Sequence, residues 1–179
     1  VPVGDAQPCP GHETVTDYDG NVYNTVKIGA QCWMRENLRT THYESGCAIP
    51  QGSAPSDSVA YRYASNGSNP AIHGYLYNWS AVMNGMPSSH YNPSNVQGIC
   101  PEGWHVPSNS EWFQLTNYVG SQGAYIYYDD SNLIGKSLAD TAGWIVANII
   151  AACEPNVDMR TNNSTGFTAK PAGKLETHP

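Results

Sequence analysis

The chain has 179 residues, with 15 Asp and Glu against 8 Lys and Arg, which gives a formal net charge of −7. This length supports one domain with a sizeable core, and the acidic balance argues against nucleic acid or an anionic membrane surface as a partner. No stretch reaches the roughly 18 apolar residues that a membrane span needs.

The first part of the chain carries strand and turn signals. Residues 1–13 are rich in proline and are expected to form an extended N-terminal arm. Thr14–Thr16 and Val22–Ile28 are predicted to be strands of a hairpin, because an Asp-Gly step between them supplies the positive φ of a tight turn. A loop over residues 44–58 and a short strand over residues 60–63 follow.

The middle of the chain carries helix signals. Apolar residues at three-to-four spacing predict a first helix over residues 75–84. A second helix is predicted to begin after Ser108, because Glu111 stands three positions further on and completes a capping box. Gly120 marks its expected end. With the hairpin, these elements indicate an α+β fold.

The last third of the chain is less regular. Residues 124–128 fit either a strand or a tyrosine-rich loop, and residues 133–138 are predicted to form a short helical turn. The tail from Asn156 is expected to be loop-like, with Phe167 as its apolar anchor.

The five cysteines indicate an oxidising compartment. None of them has the Cys-x-x-Cys spacing of a zinc cluster or a thioredoxin motif, and their wide spacing favours disulfides. Their odd number leaves one over, and the pairing stays open, with buried thiols as the alternative. The candidate disulfide cysteines are Cys9, Cys32, Cys47, Cys100 and Cys153.

Residue spacing offers little support for a catalytic or metal site. The six histidines lack the spacing of zinc enzymes, and no neighbour of Cys100 or His105 favours a nucleophilic thiolate. We therefore expect no catalytic residue, no metal and no cofactor. His105 is interpreted as a structural hydrogen-bonding residue, and Glu111 as part of the helix cap rather than the partner of Glu36 in an acid–base pair.

Two acidic segments were compared with calcium-binding loops. Residues 17–21 begin like an EF-hand loop, but glycine stands fourth and isoleucine twelfth, so a plain turn is predicted. Asp129 and Asp130 could bind surface calcium as in lectin-like domains, although a plain acidic loop is the preferred interpretation.

Tyrosines form a further group with binding potential. Tyr125, Tyr127 and Tyr128, with Tyr61 and Tyr63, could stack on sugar rings or contact another protein. The sequence does not separate these two roles.

Three segments carry motifs of a known family. They are DGNVYxTVKIGAQxWMxENL within residues 19–38, GYLYNWxAxMN within 74–84 and CPxGWHVPSxxEW within 100–112. Together they resemble the Fibrobacter succinogenes major paralogous domain (FISUMP), found in secreted and surface proteins of Fibrobacter and Bacteroidetes. The resemblance extends over roughly residues 14–173.

This resemblance implies a fold. The GWHVPSxxEW segment is also similar to a helix start in sulfatase-modifying-type domains, which have a C-type-lectin-like fold. The implied architecture is α+β and C-type-lectin-like, with a small antiparallel sheet, two main helices and long loops tied by disulfides, Cys100 matching a family cysteine. We expect the arm over residues 1–13 and a single domain over residues 14–179.

The resemblance also implies a location and a way of assembling. Family members usually continue with further strands where this chain ends, so we expect a domain that lacks its last strands and has an exposed sheet edge. Such an edge can accept an extended segment from a neighbour. We expect an extracellular or cell-surface protein, freed of a leader, that forms a homopolymer. The alternative function is that of a carbohydrate-binding, lectin-like adhesion module.

Covalent glycans are the remaining expectation. Asp57-Ser58-Val59 and Asp140-Thr141-Ala142 resemble the Asp-Ser/Thr-apolar O-glycosylation motif of Bacteroidetes. Ser58 and Thr141 are therefore candidate O-glycosylation sites.

Overall fold

The computed structural model describes residues 6–64, 69–122, 132–144 and 163–173, which form a small α+β structure. The strands are β1 (Thr14–Thr16), β2 (Val22–Ile28), β3 (Gln31–Met34), β4 (Arg62–Tyr63) and β5 (Leu76–Tyr77). The helices are α1 (Pro70–His73), α2 (Trp79–Met83), α3 (Asn109–Ser121) and α4 (Asn132–Leu138). None of the helices in these ranges is long and apolar enough to cross a bilayer.

The chain divides into two compact units. The first contains Val1–Glu13, Asn24–Glu36 and Leu115–Pro171, and the second contains Thr14–Tyr23, Asn37–Gln114 and Ala172–Pro179. Each unit has its own apolar cluster, because its buried side chains contact one another within that unit. The first cluster is built on Val26, Ile28, Leu115 and Val119. The second is built on Tyr43, Ile49, Ala81 and Ile99.

The hairpin predicted at the start of the chain is confirmed, and it continues into a third strand. The sheet has the order β1-β2-β3, and β2 pairs antiparallel with β3 so that Thr25 lies opposite Met34 and Ile28 opposite Gln31. Gly29 has a φ of +61° in the tight connection, and a Cβ there would lie 2.9 Å from the Tyr118 ring. We did not predict β3, although a glycine followed by an apolar run was a signal for it.

The helix predicted over residues 75–84 is wrong in its first four residues. Leu76 and Tyr77 form β5, which pairs with β4 as a two-stranded antiparallel ribbon. The helix begins only at Trp79, because the Asn78 side chain caps it by accepting a hydrogen bond from the Ala81 backbone at 3.1 Å. The apolar spacing over residues 75–83 fits either one continuous helix or a strand followed by a shorter helix. The Asn78 cap selects the second alternative.

The second predicted helix is confirmed as α3, with the predicted capping box. Glu111 Oε2 accepts from the Ser108 backbone N–H at 2.9 Å, and Ser108 Oγ accepts from the Glu111 N–H at 3.3 Å. The helix ends at Ser121, one residue past Gly120. The short helical turn is confirmed as α4, and Phe167 anchors its segment by packing on the first unit's cluster.

Two earlier interpretations need qualification. Pro70–His73 forms α1, which the sequence analysis did not predict; Asn69 caps this helix and proline favours its first turn. Residues 124–128 lie outside the described part of the chain. The α+β class is confirmed at this level, whereas the C-type-lectin-like architecture stays a prediction.

Candidate functional site

The N-terminal arm lies along the side of β2 that faces away from β3, in the first unit. The backbone N–H groups of Thr25 and Lys27 point away from β3, and they donate to Glu13 O at 3.1 Å and Gln7 O at 2.8 Å. The arm thus supplies acceptors where an additional strand would supply them. We call this edge of β2, with its side-chain contacts to the arm, the arm seat.

A disulfide and a buried threonine fasten the arm in the seat. Cys9 is fully buried and is bonded to Cys32 on β3, with their Cα atoms 5.7 Å apart. Thr25 Oγ1 accepts from the Cys9 N–H at 3.0 Å and donates to His12 O at 2.6 Å. One threonine side chain therefore ties two points of the arm to β2.

The arm reverses direction within the seat. His12 N–H donates to Cys9 O at 3.0 Å across a turn in which Gly11 has a φ of +72°. Further along the chain, a Cβ on Gly166 would lie 2.2 Å from the Ala6 side chain, so only glycine allows this close approach. The sequence indicated an arm and a bonded Cys9, but it did not locate the seat or the role of Thr25, whose only signal was the alternation along β2.

The remaining cysteines are not all bonded. Cys47 is an exposed free thiol and Cys100 is a second free thiol, so neither forms the disulfide that we expected for it. Cys153 lies outside the described residues. Burial raises the pKa of Cys100 to about 12, which keeps this thiol protonated and weakly nucleophilic at neutral pH.

His105 and Glu111 are held by each other. His105 Nε2 lies 2.6 Å from Glu111 Oε1, while Glu111 Oε2 also accepts from the Ser94 N–H at 3.2 Å. Burial raises the pKa of Glu111, but hydrogen bonds from the Ser108 backbone and from His105 outweigh it and leave the pKa below its ordinary value. These contacts agree with the structural interpretation of both side chains.

The carboxylates of the acidic turn over residues 17–21 accept hydrogen bonds from neighbouring groups. Asp17 accepts from the backbone and side chain of Asn21 and from the Tyr23 hydroxyl at 2.5 Å. Asp19 accepts from the Thr41 backbone and lies 2.5 Å from His42 Nδ1. The turn interpretation is therefore the one that the hydrogen bonds favour. Across the described ranges, no cluster of three or more His, Cys, Asp or Glu side chains could hold a metal.

The two candidate glycosylation sites lie on the surface. Ser58 is exposed in a loop whose neighbours are fixed, since Asn78 Nδ2 donates to Val59 O at 2.6 Å. Thr141 is also exposed, and it follows the buried Asp140, which pairs with Lys170.

Several predicted residues lie outside the described part of the chain. They are Tyr125, Tyr127, Tyr128, Asp129 and Asp130. Of the remaining tyrosines, Tyr61 and Tyr63 contact each other edge-on with ring centroids 6.1 Å apart, and Tyr63 is buried. Tyr63 is therefore placed for packing rather than for stacking on a ligand.

The second unit contains an open pocket that the sequence did not indicate. Buried Met83 and Val96 line it together with the indole of Trp79, which is 64% exposed. Ser88, His90 and Asn109 add polar groups to the lining. The sequence predicted that Trp79 lies inside the first helix, whereas the structure begins α2 at this residue and leaves its indole exposed.

A comparison with protein-family models gives a match for most of this chain. The family model described as the Fibrobacter succinogenes major domain matches residues 26–179. No curated protein and no solved structure matches the chain.

Proposed function

We propose that this chain, which belongs to the Fibrobacter succinogenes major domain family, is a non-catalytic structural protein of the bacterial surface. In this proposal the protein is exported and polymerises into an extracellular filament or surface assembly. Neighbouring copies are joined by exchange of the N-terminal arm. The observation that carries the proposal is the arm seat.

The contacts in the seat explain how arm exchange could join copies. The arm is held by main-chain hydrogen bonds to its own β2 and by one disulfide to β3, and the same contacts would form if the arm came from a neighbour. Before the Cys9–Cys32 bond has formed, opening the turn between Cys9 and His12 would release the segment up to Cys9 from its own seat. Once the arm is exchanged, oxidation of its Cys9 thiol with the Cys32 thiol of the neighbour, by the oxidant of an oxidising compartment, would form an interchain bond in place of the intrachain one.

The described side chains also favour a structural role over catalysis. Cys100 is held as a thiol, whereas His105 and Glu111 are committed to each other and to the cap of α3. Catalysis needs a nucleophile or base directed at a substrate. His105 Nε2 and the Glu111 carboxylate are instead directed at groups within the protein.

Isotope mixing tests arm exchange. Light and ¹⁵N-labelled chains, both carrying Cys47→Ser to remove the exposed thiol, are mixed reduced, oxidised together and assembled. Exchange predicts that peptides spanning Cys9–Cys32 contain light–heavy pairs and that assemblies run as covalent ladders without reductant. Only light–light and heavy–heavy pairs in assembled material would reject arm exchange, and an absence of assemblies would reject the filament.

Covalent glycans are part of the proposal. Intact-mass measurement of protein from its native host should show added sugar mass, because Ser58 and Thr141 are both exposed. Ser58→Ala and Thr141→Ala should each remove the sugar mass that is attached at the substituted residue. An unmodified mass would contradict glycosylation without affecting the arm-exchange proposal.

Carbohydrate binding is the second candidate function. The tyrosines first considered for it lie outside the described residues, and the variants Tyr125→Ala, Tyr127→Ala and Tyr128→Ala would test them. The observation that favours this function is the pocket beside Trp79 in the second unit.

A further inference from the structure

We propose that the pocket lined by Trp79 binds a neutral saccharide, with a pyranose ring stacked on the indole. This site is different from the tyrosines considered above and does not depend on the arm. All of its lining residues lie between Trp79 and Asn109 in the second unit.

Hydrogen bonds of the preceding residue hold the backbone at Trp79 in place, so the position of its indole is fixed by the fold. Asn78 Oδ1 accepts from the Tyr61 N–H at 3.0 Å and from the Ala81 N–H at 3.1 Å. Asn78 Nδ2 donates to Ser56 O and to Val59 O, both at 2.6 Å. This amide therefore holds the start of α2 against the preceding loop, and little backbone ordering is left for a ligand to impose.

The floor of the pocket is apolar and is also held in place. Met83 and Val96 are each 5% exposed. Val96 is fixed because its N–H donates to Ser94 Oγ at 3.2 Å and its carbonyl accepts from the Val106 N–H at 2.8 Å. A ligand that enters this pocket meets a preformed apolar surface beside a largely exposed indole.

The polar groups of the lining select the class of ligand. Ser88, His90 and Asn109 bring a hydroxyl, an imidazole and a carboxamide, which donate and accept hydrogen bonds. Of the described residues that line the pocket, none is Asp, Glu, Lys or Arg. The lining therefore offers a ligand no carboxylate, ammonium or guanidinium group for an ion pair.

A neutral pyranose fits this combination best. Its ring presents an apolar C–H face to an indole, while its hydroxyl groups match neutral donors and acceptors at the ring edge. A purely apolar partner would leave the hydroxyl, imidazole and carboxamide without hydrogen bonds from the ligand.

Titration of the full chain with defined oligosaccharides tests the proposal. The probes are the hexasaccharides of β-1,4-glucan, β-1,4-xylan and β-1,4-mannan, with hexagalacturonate as an acidic comparison. We expect at least one neutral probe to bind, Trp79→Ala to weaken that binding about tenfold or more, and Trp79→Tyr to retain part of it. Trp112→Ala is the matched control, because Trp112 is exposed but outside the lining. The saccharide affinity of this variant should stay within about twofold of the wild-type affinity.

Each other outcome would overturn the proposal. Absence of neutral-probe binding at millimolar concentration rejects a saccharide site. Equal affinities of wild type and Trp79→Ala place any binding elsewhere, and preference for hexagalacturonate rejects the neutral class. Thermal unfolding of each variant excludes loss of structure as the cause, and none of these results bears on arm exchange.

Discussion

Replacing Glu111 by alanine should destabilise the protein strongly, because this one carboxylate holds both the start of α3 and the loop before it. Glu111 is 6% exposed and accepts from the backbone N–H groups of Ser108 and Ser94. It also contacts His105 Nε2 at 2.6 Å. Alanine would leave all three of these groups without that partner.

The expected loss follows from those contacts. Each of the two buried N–H groups left unpaired costs about 1–3 kcal/mol, whereas Ser108 Oγ still accepts from the backbone N–H of position 111 in the variant. Ser94 and Ser108 are 5% and 4% exposed, so water reaches neither of their backbones easily. We expect Glu111→Ala to lower the free energy of unfolding by about 3–5 kcal/mol, and Glu111→Gln, which keeps an acceptor oxygen, to lower it by about half as much.

Urea unfolding followed by circular dichroism measures the change. At constant m-value, the shift in midpoint gives the difference in free energy. Glu102→Ala is the matched control, since Glu102 is exposed and should change stability by no more than about 0.5 kcal/mol. If Glu111→Ala stays within that same range, the assignment of Glu111 as a structural anchor is refuted.

The same carboxylate predicts a dependence on pH. The pKa of Glu111 in the folded protein lies below its ordinary value of 4.5, so the folded state binds this proton less readily than the unfolded state. Its contribution is complete above that ordinary value and is lost as the pH falls through the lower folded pKa. Wild type should therefore lose more stability on acidification than Glu111→Gln, and parallel curves for the two would contradict this.

Three other substitutions probe the remaining contacts by the same unfolding measurement. Cys9→Ser should lower the free energy of unfolding by about 3 kcal/mol, because it removes the bond to Cys32, and a Tm unaffected by reductant in wild type would contradict this. Tyr23→Phe should cost about 1–3 kcal/mol, because it removes a buried hydroxyl from a carboxylate, and an unchanged midpoint would disprove the role of that hydrogen bond. Gly74→Ala should cost more than about 1 kcal/mol, since Gly74 has a φ of +70° and a Cβ there would lie 2.5 Å from Leu38 O, whereas a neutral result would show that the backbone can shift.

Local signals predicted the elements that local chemistry controls. The Asp-Gly turn gave the hairpin, and the Ser108–Glu111 spacing gave the start of α3. The first helix was placed too early because one apolar pattern fits both a short strand and a helix. Only the pairing of β5 with β4 and the two roles of Asn78 separate those alternatives.

The candidate sites were less accessible from sequence, because their residues meet through distant parts of the chain. Cys9 and Thr25 were visible as a cysteine and a strand residue, but their hydrogen bond joins positions 16 apart. The pocket depends on Trp79 lying exposed at the start of α2 beside Val96 and Asn109 from later segments. No spacing rule links these three residues.

The sequence by itself determined the family, the α+β class and the capping box, because each depends on neighbouring residues or on a continuous motif. The tertiary structure decided that Cys9 bonds Cys32, that the arm occupies the edge of β2, and that Trp79 faces a pocket. Disulfide pairing and edge pairing are choices among chemically equivalent partners. Such choices are settled only when the packed chain brings one partner within bonding distance and holds the others away.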